Sequence, residues 1–133
     1  SASDNAFLRL YDGTNELVYD ARKCISQSLA GTDLTARNQW TIFTPDNPFT
    51  LTSVQYTASG TTALGWNLKT GSAPVPTPLV FTANKSASGS AIARTTSFTN
   101  ASVGDGGKLD IVTTSTSATL DSVYVRVCGR LDP

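Results

Sequence analysis

The side chains that could do chemistry in this chain are few, and their spacing rules out most of it. There is no histidine, which excludes Ser-His-Asp and Cys-His arrangements and any histidine-ligated metal site. The carboxylates are nine Asp and a single Glu, Glu16. A glycoside-cleaving pair would need two of them held across a cleft. Asp12 precedes Gly13, Asp46 lies between prolines and Asp105 between glycines; in such places a carboxylate hydrogen-bonds its own turn. The stretch VGDGGKLD brings Asp105 and Asp110 to a glycine-rich loop. It lacks the ligand spacing of an EF-hand, and the helix and Lys-Ser/Thr pair of a phosphate loop. A hairpin turn is its expected role. These residues predict no catalytic group, no metal and no cofactor.

The two cysteines, Cys24 and Cys128, leave two readings open. Bonded, they close a loop of about 100 residues, which a chain-entropy model converts to ~4–5 kcal/mol of stabilisation. Unbonded, they are the ordinary thiols of a reducing compartment. An even count in a Ser/Thr-rich β chain favours the bond. In SVYVRVCG, Val123, Val125 and Val127 alternate with Tyr124, Arg126 and Cys128. The valines form a core face and the other three an outer face. A bond would account for a cysteine on that outer face if residues 22–37 cross over it.

Trp40, Trp66 and Tyr56 could make a sugar-stacking platform. However, Trp40 shares its period-two face with Ile42, and Trp66 with Leu64 and Leu68, so both indoles are expected in the core. Tyr124 shares its face with Arg126, a pair typical of interface anchors. Arg9, Lys69 and Arg94 are the other charged residues expected on outer faces, where they could set the register of a contact. NKS at Asn84 and NAS at Asn100 match the glycosylation triplet, a pattern that arises often in such a Ser/Thr-rich chain.

The elements that must position these residues are strands. Ser and Thr supply about a quarter of the 133 residues, with ten Gly and six Pro, and no segment has the period of an amphipathic helix. Phe7–Tyr11 and Leu17–Tyr19 read as a hairpin about DGTN. Further strands are expected at Gln39–Thr44, from Phe49 to the Ser59-Gly60 turn, at LGWNLKTG, at LVFTA, at AIARTTSFT, at Lys108–Thr113 and at Leu120–Cys128. SAPVPTP cannot lie inside a sheet, because its three prolines lack the ladder donor; it is a loop or an edge. Residues 22–37 are the only plausible place for a short helical turn and are read as a crossing loop between sheets. The sum is one all-β domain over residues 1–133, an antiparallel sandwich or jelly roll of about nine short strands. It has an N-terminal hairpin and arm at 1–21 and a main sandwich at 39–131. Ten basic residues balance ten acidic ones, so nothing points to nucleic acid or an anionic membrane. No apolar run approaches the ~20 residues that cross a bilayer.

From about Phe49 onward the order of segments resembles the β-sandwich modules of tailed-phage virion proteins. There an I-x-S-V-x-Y-x-T-S-G strand and turn precedes a V-x-x-G-D-x-L-x-I-V-x-T segment and an L-D-V-x-V strand. The matching residues are Leu51–Gly60, Val103–Thr113 and Leu120–Val127, roughly the last 80 positions; the N-terminal hairpin and both cysteines lie outside the pattern. The resemblance implies a structural or attachment role on the capsid exterior of a virion. With no heptads for a fibre shaft and no long helix for a major capsid protein, a decoration or cement protein is expected. Its partners would be the major capsid protein lattice and other copies of itself, taken as a trimer. A receptor- or glycan-binding sandwich and a pilus or surface-fibre subunit are the alternatives.

Overall fold

The computed structural model describes residues 7–11, 13, 16–20, 22–31, 38–60, 64–72, 76–89, 92–115 and 120–132. Nine strands form two antiparallel sheets packed as a sandwich, and two more form a separate hairpin. The hairpin strands are β1 (Phe7–Tyr11) and β2 (Glu16–Asp20), in register from Phe7↔Asp20 to Tyr11↔Glu16. Of the expected DGTN turn only Gly13 is described, with φ 101°. The expected arm ahead of Phe7 lies outside the described residues.

One sheet has the order β4-β10-β6-β7, from β4 (Gln39–Phe43), β10 (Lys108–Ser115), β6 (Leu64–Gly71) and β7 (Lys85–Ala87). The other has the order β3-β11-β5-β8, with β9 also pairing β5. Its strands are β3 (Arg22–Ala30), β11 (Leu120–Leu131), β5 (Phe49–Gly60), β8 (Ala93–Thr95) and β9 (Ser102–Val103). Alternation drives the packing. Leu64, Trp66 and Leu68 from one sheet, and Val54, Tyr56, Val123, Val125 and Val127 from the other, all point between the layers and are buried. The Tyr56 and Trp66 rings meet edge to face across the interface with centroids 4.9 Å apart. Trp66 then meets Phe81 at 5.6 Å. The two large rings thus serve the core. Trp40 is half-buried against it.

Four expectations are corrected. Residues 22–30 are not a crossing loop but the edge strand β3, paired with β11 from Arg22↔Arg130 to Ala30↔Ser122, so the five-stranded sheet already starts at Arg22. A loop was expected because β3 offers the core only Ile25 and Leu29, both half-buried, with Gln27 between them on the same face. LVFTA is not a strand: apart from a single bridge between Leu79 and Lys69, the backbone leaves the ladder there. Val80 and Phe81 are both buried, so alternation is lost. AIARTTSFT shortens to Ala93–Thr95. The GDGG turn does not close a hairpin but carries the chain from β9 in one sheet to β10 in the other. Gly106 takes φ 69° and the Gly107 N–H donates to the Gly104 carbonyl at 2.9 Å.

Asn67 holds the place where β6 loses its regular neighbour. Fully buried on β6, it donates Nδ2 to the Phe81 carbonyl (3.1 Å) and to Asn84 Oδ1 (3.0 Å). Its Oδ1 accepts from the N–H groups of Phe81 (3.1 Å) and Leu68 (2.8 Å). One side chain thereby satisfies backbone groups that a straight strand would have paired.

Gly129 sits at the bulge after Cys128, where β11 shifts register against β5. A Cβ there would lie 2.3 Å from the Thr50 carbonyl oxygen and 2.5 Å from the Phe49 ring. Phe49 is itself fully buried, so neither neighbour has room to withdraw. The substitution Gly129→Ala is expected to cost ~1–3 kcal/mol or more through overpacking, read as a lower urea midpoint at unchanged m-value.

Candidate interaction face

The two sheets differ in what covers their outer faces. On the four-stranded sheet, the Pro-rich segment folds back over the strands. Gln39 donates Nε2 to the Pro76 carbonyl (3.0 Å) and to Asp110 Oδ2 (3.1 Å). Thr41 donates Oγ1 to Asp110 Oδ1 at 2.7 Å. Asp110 is 4% exposed and stands mid-strand, so its carboxylate is a structural acceptor, whereas Asp105 is exposed in the turn. The two do not come together as a cation site. Among the described residues no group of three Cys, Asp or Glu is placed to hold a metal ion.

The outer face of the five-stranded sheet has no such cover among the described residues. Its rows follow from the register. Cys24 lies opposite Cys128, Ser26 opposite Arg126 and Ser28 opposite Tyr124. Arg126 lies opposite Gln55 and Tyr124 opposite Thr57, and Gln55 opposite Arg94. One row therefore reads Ser26, Arg126, Gln55, Arg94. Its two guanidinium-bearing strands are two inter-strand spacings apart, about 9–10 Å. None of the residues registered in these rows is acidic, and both arginines are exposed. In the next row Tyr124 is 37% exposed and donates its hydroxyl to Ser26 Oγ at 3.0 Å, which steadies the ring against the sheet. Ile92, one residue before β8, is 70% exposed. Ala93 faces the core, so alternation sends Ile92 to this same face. Two apolar groups thus sit beside two cations.

Of the residues expected to mark a contact surface, Arg94, Tyr124 and Arg126 come together here. Lys69 does not: it lies on β6, in the other sheet, opposite Asp110. Arg9 lies on the hairpin, opposite Val18. Gln55 and Ile92 join the face without having been expected there. Gln55 is visible in the sequence as the polar residue between Val54 and Tyr56, but its place between two arginines depends on long-range pairing.

Cys24 and Cys128 are bonded, 104 residues apart in sequence, with Cα atoms separated by 4.1 Å. The bond joins directly opposed residues of neighbouring strands on the outer face. β3 therefore lies beside Cys128 and does not cross over it. The latch matters because β3 is mostly exposed and gains little from burial. A shallow depression of about 380 Å³ elsewhere is lined by Thr70, Gly71, Pro78 and Thr99–Ser102, with no aromatic or charged side chain.

No protein-family model matches the chain, and neither a curated protein nor a solved structure matches it.

Reduction is expected to raise the intact mass by two hydrogens. A Cys24→Ser/Cys128→Ser chain should lose up to ~4–5 kcal/mol of stability by the chain-entropy model, read as a drop in urea midpoint. An unchanged mass would mean that the thiols are free, and an unchanged midpoint that the bond does not hold β3 in place.

Proposed function

We propose that this chain is a virion structural protein, a decoration or cement protein that binds the outside of a phage capsid and stabilises it through contacts. The bare outer face of the five-stranded sheet carries the reading, with Arg94, Arg126, Tyr124 and Ile92 side by side. Tyr and Arg are the side chains that most often anchor interfaces. Beside them stand Ser and Thr, which lose little rotamer entropy on docking. The resemblance of residues 51–127 to sandwich modules of tailed-phage virion proteins supplies the setting. Zero net charge allows many copies to crowd one shell without mutual repulsion. A cement works by contact and requires no catalysis, metal or cofactor, in keeping with the absence of histidine.

The test is to add purified protein to undecorated shells and challenge them with heat or osmotic shock. Co-sedimentation near lattice stoichiometry and higher shell survival are expected. Arg126→Ala should weaken binding about tenfold or more without moving the urea midpoint, because the residue is exposed. No effect on shells, with retention on glycans or cells, would replace this reading by receptor or glycan binding.

A further inference from the structure

Strand β3 leaves one long side of the five-stranded sheet open. Among the described strands it has a single neighbour, β11, and seven of its nine residues are exposed. The other outermost strands are blunted. β7 and β8 have three residues each. β4 has five, with a register shift in its pairing with β10 and with Pro45 and Pro48 just beyond it. β3 pairs with β11 without a shift, and from Cys24 to Ala30 it holds no charge and no proline. Short length, bulges, charges and prolines are what keep an edge from accepting another strand. This stretch has none of them.

The register fixes which backbone groups the edge presents. Opposed residues of antiparallel strands lie about 4.5 Å apart at Cα when they share no ladder bonds, and about 5.5 Å when they do. Cys24 and Cys128 are 4.1 Å apart, so Cys24 turns its N–H and C=O away from β11. The far side of β11 gives the same parity. The Ala58 N–H donates to the Ser88 carbonyl at 3.1 Å and not to β11, so the next residue, Thr57, bonds Tyr124. Tyr124 thus spends its backbone groups on β5 and not on Ser28. Cys24, Ser26, Ser28 and Ala30 therefore aim their N–H and C=O groups at the open side. None of them has another backbone partner among the described residues.

Two copies of this edge fit each other. With the strands antiparallel and the dyad at Gln27, Cys24 meets Ala30 and Ser26 meets Ser28 of the second copy, and these outward residues exchange ladder bonds. On the core-facing side half-buried Ile25 lies opposite Leu29 of the second copy, an apolar pair. Gln27 shares that side yet is exposed; at the dyad its amide faces its own copy, each able to donate to the other. Lys23 and its copy lie about 27 Å apart along the strands, far beyond the ~8 Å range of charge at physiological salt. A parallel alignment would bring them together. We infer that β3 pairs with β3 of a second copy about a two-fold axis, joining two five-stranded sheets into one. Such an interface is self-complementary and closes at two copies, a dimer in place of the trimer expected from the resemblance. The row Arg94, Gln55, Arg126, Ser26 then runs on into Ser28, Tyr124 and Thr57 of the second copy, so two bare outer faces become one surface. This inference goes beyond the cement reading and does not depend on it.

Sedimentation equilibrium of the full chain without shells tests it, and a reversible monomer–dimer equilibrium is expected. Ser28→Pro removes an outward donor and leaves the ladder to β11 intact, a place where an edge strand accepts proline. It should weaken the dimer about tenfold or more. Gln27→Lys and Gln27→Glu should each weaken it too, by placing like charges directly opposite. Mixed in equal amounts, these two chains should associate at least about tenfold more tightly than either alone, an outcome that misfolding would not produce. A chain that stays monomeric, a trimer, a dimer indifferent to these changes, or a mixture no tighter than its parts would each overturn the pairing. Dimers that respond as expected but ignore shells would support the pairing and overturn the cement reading. Monomers that bind shells would do the reverse.

Discussion

The register of β11 between its two neighbours is the constraint on which the remainder of the molecule depends. Val123, Val125 and Val127 are each at most 1% exposed, and each is worth ~1.5–3 kcal/mol of burial. A slip of one residue would expose all three and drive Tyr124 and Arg126 into the core. With the valines inward, everything on the other side of the strand is placed. Cys128 meets Cys24, Arg126 joins the row that contains Arg94, and Tyr124 reaches Ser26. The outer face is the reverse side of a packing decision.

The sandwich is finished on one side and unfinished on the other. Across the four-stranded sheet the Pro-rich segment and the buried polar side chains of Asn67 and Asp110 replace solvent with chain. The five-stranded sheet keeps a polar surface on which Arg94, Arg126, Tyr124 and Ile92 are exposed, and at one end of it Arg22 lies opposite Arg130. Antiparallel sheets tolerate one wet face readily, so openness alone carries no message. What sets this face apart is that the row holding Arg94 and Arg126 registers no carboxylate among the described residues, in a chain whose charges balance overall.

Long runs with clean alternation, such as LGWNLKTG and the valine strand, are enough to announce β6 and β11 and to place Trp66 inside. The two-layer antiparallel plan follows from them. The outer-face grouping of Tyr124 and Arg126 is equally readable, being a matter of parity along one strand. What the sequence hides depends on pairing across long distances. β3 shows only Ile25 and Leu29 to the core, too sparse a signal to outweigh its Ser residues. LVFTA mimics a strand in composition, but Asn67 takes up the backbone groups that would have extended the ladder. No local pattern could reveal that Arg94, 32 residues before Arg126 in sequence, ends up in the same row.

The covalent link between strands β3 and β11 turns most of the molecule into a macrocycle. Both strand partners lie near opposite ends of the sandwich in sequence, so the bond encloses β4 to β10 entirely. A single peptide cleavage at an exposed loop inside that ring, such as the Gly104–Gly107 turn, leaves both fragments attached to one another. The nicked domain keeps its two sheets in one piece.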